Sequence, residues 1–265
     1  MGFGIKAGMW PFGQMWLPDA HPAAPSPVSA LLSGVMIKTG VYGLMRSFLW
    51  LVPEGELGGF PMAGWGLAIG LLGTVTLFTG TVAALQQEQS KRLLAYSSIG
   101  QIGYILFGLG AAMSLLPSGD PALAALGTVG FCGALFHVIN HGLFKSLLFL
   151  NSGSMLSATG TQDLNRLGGL MRFMPVTGLT VLVGACSVSG VPLTNGFASK
   201  WAMYVAAIQG APEARHLGVC AVIAILTSAL TLATFVKFFG ASFLSRASKW
   251  VSAKAAGGGS MEVCW

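Results

Sequence analysis

The segment FHVINHGLFKSLLF carries the residues whose types and spacing are best suited to chemistry. His137, His141 and Lys145 recur at every fourth position, so on a helix they share one face over roughly 12 Å. An imidazole titrates near neutral pH and can take up a proton on one ring nitrogen while it releases one from the other. The three side chains therefore predict a file along which protons pass.

Two other interpretations of this segment stay open on the sequence alone. The histidines could be packed core residues, or the i, i+4 pair could bind a metal ion. A metal would need a third ligand, and His21 and His216 are both predicted to lie in loops, so we expect no metal site. Asn140 lies off the shared face and is expected to hydrogen-bond a neighbouring helix.

Lysines within apolar runs are the second group of candidates. Lys38 lies near the middle of ALLSGVMIKTGVYGL, where a lysine costs about 2.5–3.5 kcal/mol on insertion scales. That cost implies a charge partner or an aqueous cavity, and pairing with another subunit purely for assembly is the alternative. Lys6 and Lys200 adjoin two predicted breaks in the helices, and Lys237 lies in the last span, where it could instead snorkel to the surface. Because burial favours the uncharged amine, a row of such lysines can exchange protons.

Carboxylates, in contrast, are predicted only in loops and in the tail. The eight are Asp19, Glu54, Glu56, Glu88, Asp120, Asp163, Glu213 and Glu262. A relay of buried lysines needs an anionic partner to modulate it, and we expect that partner to come from elsewhere.

Long apolar helices are the elements that would hold these residues. The chain is 54% hydrophobic and 8% charged, against about 25% charged in soluble domains, so lipid must solvate much of its surface. Six stretches are long enough to cross a bilayer core of about 30 Å: residues 27–51, 62–85, 93–116, 122–150, 175–209 (broken) and 217–244. The prediction is an all-α, polytopic membrane helix bundle. Its proton-conducting domain spans residues 26–245, after a remnant of a broken helix and a connecting loop at 1–25 and before a flexible cytoplasmic tail at 246–265.

Clusters of proline and glycine predict interruptions of regular helix at residues 9–27 and 187–200. Unwound backbone at membrane depth is tolerated only where it is buried in protein or lines water, and transporters place ion sites at such breaks. For residues 18–25 a loop at the membrane surface is favoured. For residues 190–196 a surface loop and a buried break are both open.

Basic and non-basic loops alternate along the chain. The positive-inside rule then places Arg166 and Lys249 in the cytoplasm and Glu54 on the opposite side. Lys91 and Arg92 are expected to start a helix at the cytoplasmic surface and to serve topology alone. The net charge of +6 reflects this loop bias rather than nucleic-acid binding.

No redox cofactor is expected in this chain. The four cysteines are scattered, without a CxxC pair or a Cys/His cluster, and no Gly-rich dinucleotide turn is present. If the parent assembly is an enzyme, this chain is expected to be a subunit that performs none of the redox chemistry.

Four segments carry a resemblance to a known family: WLPDAHPAAPSPVSALLSGVMIKTGVYGL, KRLLAYSSIGQIGY, FHVINHGLFKSLLFLNSGS and SGVPLTNGFASKW. Over residues 3–244 this succession resembles the antiporter-like, proton-translocating membrane subunits of respiratory complex I and its relatives. HPAAPSPVSALLSG and DLNRLGGLMRFMP are most similar to the large membrane subunit of formate hydrogenlyase and hydrogenase-4 type complexes.

The resemblance implies a fold of about fourteen helices with two inverted repeats, each holding one broken helix. The first helices of that fold, including one with an essential glutamate, are not matched, so we expect a fragment, a truncated gene product or a split subunit. By motif, the relay of the family corresponds to Lys6, Lys38, His137, His141, Lys145 and Lys200. Lys237 matches no motif, and we include it only for its place in an apolar span.

Three functions stay open on this resemblance. The chain could be a proton-translocating subunit of a membrane oxidoreductase, a subunit of a multisubunit sodium/proton antiporter, or a structural remnant that conducts nothing. The expected partners are the other membrane subunits of such a complex, the lipid bilayer, and protons or sodium ions, in the inner membrane of a bacterium.

Overall fold

The computed structural model describes residues 1–51 and 61–256. The helices in these ranges are α1 (Gly2–Ala7), α2 (Gly13–Ala23), α3 (Ser26–Leu51), α4 (Met62–Leu85), α5 (Ser90–Leu115), α6 (Pro121–Thr159), α7 (Pro175–Ser189), α8 (Asn195–Gln209), α9 (Arg215–Phe239) and α10 (Lys249–Ala256). Helix α3 contains π-helical turns at Leu32–Met36 and Ser47–Leu51, and a third extends α9 over Gly240–Leu244.

Five of these helices are long and apolar enough to cross a membrane: α3, α4, α5, α6 and α9 with its extension. The remaining predicted stretch, 175–209, is divided into α7 and α8, which are joined by residues 190–194. Apart from helices and turns, the described part of the chain contains an isolated bridge between Gln89 and Asp163. The chain is therefore an all-α, multi-pass membrane protein, as predicted.

Helix α5 forms the centre of the bundle because small residues let its neighbours approach closely. Of the most apolar 18-residue stretch of this helix, 94% is buried inside the bundle. A Cβ added at Gly103 would lie 2.2 Å from the backbone nitrogen of Leu77 in α4, and one at Gly110 would lie 2.4 Å from the Cα of Gly70. Only glycine allows this backbone-to-backbone contact, which is the usual way for membrane helices to associate without a hydrophobic driving force.

The basic segments gather at one end of the bundle, here called the basic end. The segment before α5 pairs with the segment after α6 through Gln89 and Asp163, and Asn165 Nδ2 donates to Glu88 Oε2 at 2.8 Å. Ser248 Oγ donates to the carbonyl of Arg166 at 2.6 Å, which adds the segment before α10. This grouping is what the alternation of loop charges predicts. Glu54 and Glu56 lie outside the described residues.

The surface loop predicted at residues 18–25 is wrong. Residues 13–23 form α2, with Pro18 and Pro22 inside the helix. The two prolines lack an N–H group, which leaves only the carbonyls of Gln14 and Pro18 without their usual donor inside the helix. The helix therefore loses few hydrogen bonds. Burial of Leu17, at 0% exposure, holds the segment against the bundle despite its composition.

The predicted tail is also more ordered than expected. Residues 249–256 form α10, in which Val251 is fully buried and Trp250 Nε1 donates to the carbonyl of Thr159 at 2.8 Å. Apolar contacts thus fix the start of a segment whose composition predicts a flexible tail. Residues 257–265 lie outside the described part of the chain.

Candidate proton-relay site

The three candidate residues of α6 face the interior of the bundle. His137, His141 and Lys145 are each at 0% exposure. The rings of the two histidines are nearly parallel, with centroids 6.4 Å apart and an interplanar angle of 12°. Their spacing along the chain thus produces the single file on one helical face that the sequence predicts.

His137 is fully hydrogen-bonded by neutral partners. Its Nδ1 lies 2.8 Å from Ser199 Oγ in α8, and its Nε2 lies 3.1 Å from Gln101 Oε1 in α5. Asn140 fixes the same region, since its Nδ2 donates to the carbonyl of Asn195 at 2.8 Å and to Ser199 Oγ at 3.2 Å. Asn140 therefore bonds a neighbouring helix, as predicted.

His141 has the opposite environment. Neither of its ring nitrogens has a hydrogen-bond partner among the described residues. Its ring centroid lies 5.6 Å from that of Phe144, and a Cβ added at the adjacent Gly142 would lie 3.7 Å from Lys38 Cε. A buried ring with two free polar atoms is a place where water is expected to bind.

Lys200 lies at the break between α7 and α8. Helix α7 ends at Ser189, and the next residue, Gly190, turns the backbone with a left-handed φ of 76°. Lys200 Nζ donates to the carbonyl of Val188 at 3.0 Å. The ammonium also donates to Ser228 Oγ at 3.2 Å and lies 4.4 Å from the ring centroid of Tyr104. Lys200 itself is buried, whereas Pro192 and Leu193 in the connection between α7 and α8 are exposed, so the surface loop and the buried break both stay predictions for residues 190–196.

Lys145 is held in a similar way at the other end of the histidine file. Its Nζ donates to the carbonyl of Leu94 at 2.9 Å and lies 5.5 Å from the ring centroid of Phe235. Both contacts are neutral, so a cation–π interaction and one carbonyl take the place of a counter-ion.

Lys38 lies at the margin of the bundle, with 8% of its surface exposed. Its Nζ donates to the carbonyl of Ser33, which is part of the first π-helical turn of α3. The side chain lines a cleft of about 560 Å³ between α3 and α6, whose other walls include Tyr42, Ile139 and Leu143. The cleft opens on the surface of the bundle, and its walls are almost entirely apolar.

The sequence of this chain matches the model of a known family over residues 1–231. That family is described as NADH:quinone oxidoreductase/Mrp antiporter, transmembrane. The chain belongs to this family.

Among individual relatives, the chain is 40% identical to hydrogenase-4 component B of Escherichia coli K12 over 91% of its length, and 41% identical to formate hydrogenlyase subunit 3 of the same organism over 92%. It spans only 36% and 39% of the length of those two relatives. Its structure superposes on a chain of the archaeal membrane-bound sulfane sulfur reductase with a TM-score of 0.77, at 34% identity, covering 96% of this chain and 41% of the other.

Two candidate lysines do not join the others. Lys6 is exposed on α1. Lys237 is half-buried at the basic end, where its Nζ donates to the carbonyls of Leu85 and Gln87, both at 3.0 Å. A lysine that binds the last carbonyls of a helix is a common C-terminal cap, and this cap explains a lysine near the end of an apolar span.

Two residues that the sequence predicts in a loop or at the surface are buried in the structure. His21 is not in a loop but in α2, at 0% exposure, stacked on Phe149 with ring centroids 4.3 Å apart. Lys91 is 2% exposed and donates to the carbonyl of Ala24 at 2.8 Å, so it anchors the end of α2 in addition to any role in topology. Both errors follow from the loop predicted at residues 18–25, because His21 is part of the helix that stands there and Lys91 binds the end of that helix.

None of the carboxylates in the described residues lies among the buried lysines and histidines. Asp19, Glu88, Asp120 and Glu213 are exposed, and Asp163 is half-buried at the basic end. The ion pairs in this part of the chain, Arg92 with Asp19 at 3.2 Å and Arg166 with Asp163 at 3.4 Å, lie at the surface. Asp19 lies in α2 and not in the predicted loop.

Sequence reasoning missed the neutral partners of the row. Gln101, Tyr104, Ser199 and Ser228 touch His137 or Lys200 and were not identified as site residues. A signal was present for two of them, since Gln101 and Tyr104 are three residues apart in a span that otherwise has few large polar side chains.

Proposed function

We propose that this chain forms part of the proton path of a respiratory-type membrane complex. The observation that carries the proposal is the buried row of Lys38, His141, His137 and Lys200, none of them more than 8% exposed. Their partners in the described part of the chain are hydroxyls, an amide, carbonyls and aromatic rings. Each of these side chains can hold or release a proton, and no neighbour fixes its charge.

Stability alone does not account for such a row. A buried cation without an anionic partner costs several kcal/mol, roughly, and well-packed apolar residues of similar volume would make the bundle more stable. The presence of four titratable side chains at these positions therefore supports a functional role for the row. Lys145 extends the row along α6, and Lys6 would join it only where another membrane segment covers α1.

The anionic partner of this relay is expected to come from outside the described residues. A charge that moves near the cleft beside Lys38 would change how tightly that lysine holds its proton. The neighbouring histidines would pass the proton along the row. Electron transfer in partner subunits of a complex I-like or group 4 hydrogenase assembly, in a bacterial inner membrane, would drive that movement. The chain itself supplies the path and performs no redox step.

Proton uptake by membrane vesicles that contain the assembled complex tests the proposal. Lys38→Ala and Lys200→Ala should each abolish uptake while electron transfer and assembly persist. Lys237→Ala is the matched control, because this lysine also lies in an apolar span but caps α4. Full uptake by both relay variants would overturn the proposal and favour a structural role for the chain.

A subunit of a multisubunit sodium/proton antiporter is the second candidate, because the matching family includes antiporter subunits. The same vesicles distinguish the two. Uptake that is driven by a sodium gradient, without an electron donor, would favour the antiporter. Uptake that requires electron donor and acceptor would favour the oxidoreductase.

A further inference from the structure

The two ring nitrogens of His137 face partners of an unusual kind, since each partner can both donate and accept a hydrogen bond. Ser199 has a hydroxyl, which donates one proton and accepts through its oxygen. Gln101 has an amide, which accepts through its oxygen and donates through its nitrogen. A carbonyl or an ammonium in either place would permit only one state of the nitrogen that it faces.

The arrangement in the structure satisfies a neutral ring that carries its proton on Nε2. Nε2–H donates to Gln101 Oε1 at 3.1 Å, and Nδ1 accepts from the hydroxyl of Ser199 at 2.8 Å. Ser199 Oγ in turn accepts from Asn140 Nδ2 at 3.2 Å. Each member of this chain of bonds uses its donors and acceptors consistently.

A second proton on the ring would also be satisfied. Nδ1–H would then need an acceptor, which Ser199 Oγ provides once its own proton points elsewhere. Two backbone carbonyls lie within reach of that proton: Gly196 at 3.2 Å and Asn195 at 3.3 Å from Oγ. The serine oxygen does not have to move, because rotation about the Cβ–Oγ bond is enough.

The reverse neutral form, with the proton on Nδ1, requires the amide of Gln101 to turn over. Gln101 Nε2 is buried and has no partner among the described residues, so the rotation breaks no bond of that nitrogen. After the rotation, Gln101 presents its Nε2 to His137 Nε2 as a donor, where it previously presented its Oε1 as an acceptor.

We propose that Ser199 is a positioning residue that lets His137 pass between its protonation states without leaving a buried N–H unpaired. The proposal rests on the proposed function, since it assigns a step within that relay. As the Ser199 hydroxyl turns away from the ring, a protonated lysine of the row passes a proton through water to Nδ1 and becomes a neutral amine, and the ring becomes a cation. One of the two ring protons then passes to the next base in the row. The charge of the ring is restored, and Ser199 keeps its own proton throughout.

The surrounding amides explain how the serine is kept in place. Asn140 in α6 and Asn195 at the start of α8 bond each other in both directions, from Asn140 Nδ2 to the carbonyl of Asn195 at 2.8 Å and from Asn195 Nδ2 to Asn140 Oδ1 at 3.1 Å. This pair ties the first turn of α8 to the helix that carries His137. A movement of the broken helix would therefore reach the imidazole through Ser199.

The test compares hydroxyl-bearing and hydroxyl-free side chains at position 199 in vesicles with the assembled complex. Ser199→Ala should lower the rate of proton uptake by about ten-fold or more, because a doubly protonated ring would have an unpaired N–H. The alkaline limb of the pH profile should move to lower pH, since the ring holds the second proton less well. Ser199→Thr should retain uptake within about two-fold. Ser199→Val, whose side chain has nearly the shape of threonine but no hydroxyl, should lower uptake as much as Ser199→Ala does.

Ser189→Ala is the matched control. Ser189 is buried at the end of α7, beside the same break, and its hydroxyl donates to the carbonyl of Ala185 at 2.7 Å. Wild-type uptake and an unshifted pH profile are expected for this variant.

The outcomes separate the inference from the proposed function. Normal uptake by Ser199→Ala together with a loss in His137→Ala would overturn the inference and leave the relay. Normal uptake by His137→Ala would overturn the relay itself. If threonine permits assembly but alanine and valine do not, the hydroxyl is structural and the inference is also overturned.

Discussion

The two ends of the buried row differ in how they are completed. At one end, Lys200 and His137 are enclosed by α5, α8 and α9, and each polar atom of their side chains has a partner within the chain. At the other end, Lys38 borders an open apolar cleft, and the ring nitrogens of His141 have no partner in the described part of the chain. We call these the closed half and the open half.

The difference shows that one molecule offsets the free-energy cost of burying titratable groups in two ways. The closed half offsets the cost with neutral hydrogen bonds and a cation–π contact, which permit a change of charge with no more than the rotation of a hydroxyl or an amide. The open half leaves the cost to water or to a segment that covers the cleft. A signal from outside the chain would therefore act on the open half first.

The largest expected effect separates the two histidines. His137→Ala should lower proton uptake by about 100-fold, because it removes a ring that is bonded on both sides. His141→Ala should lower uptake by about ten-fold or less, since water can occupy the space of a ring that has no partners. Vesicle uptake measured at equal amounts of assembled complex compares them. Equal losses would mean that the two halves do not differ in this way.

Chemical access gives the next prediction. In a background without the native cysteines, Lys38→Cys should react with a membrane-permeant maleimide several-fold faster than Lys200→Cys in the chain purified in detergent. The reason is that Lys38 lines the cleft, whereas Lys200 is 2% exposed. Similar rates at the two positions would show that the closed half is open in solution.

The backbone at the break gives a smaller effect. Gly190→Ala should destabilise the chain by about 1–2 kcal/mol, because φ is 76° and the new Cβ would lie 3.1 Å from Lys200 Cδ. Thermal unfolding in detergent measures the loss. Gly240→Ala is the control, since a Cβ there meets nothing within 4 Å. An equal change at both glycines would contradict the role of the left-handed turn.

The smallest effect is expected outside both halves. Lys237→Met should leave uptake within about two-fold of the wild type and should cost about 0.3–1 kcal/mol of stability, because it removes the cap on α4. Unfolding and uptake measured on the same preparation decide this. A loss of uptake as large as that of Lys200→Ala would contradict the capping role and show that Lys237 belongs to the relay.

Much of this architecture could be predicted from the sequence, because in a membrane hydropathy and loop charge constrain both span and direction. The file of His137, His141 and Lys145 also followed from spacing alone. The helix at residues 13–23 did not, since its prolines predict a loop and only tertiary burial maintains it. Because that helix contains His21 and ends next to Ala24, whose carbonyl Lys91 binds, the burial of both side chains was missed as well.

The distinction between the two halves could not be predicted either. Whether a buried histidine is bonded depends on which helix faces it, and Ser199 lies 62 positions along the chain from His137. Periodicity describes the faces of a helix but not its neighbours. The cleft beside Lys38 is similarly a property of how α3 and α6 meet.

The central claim is that the open and closed halves form one path through the two histidines. Proton uptake by assembled complexes that carry His137→Ala and His141→Ala together tests it most directly. The account predicts that uptake is abolished while electron transfer and assembly are kept, as for Lys200→Ala. Uptake that stays near the wild-type rate in the double variant would contradict it and would mean that protons cross elsewhere.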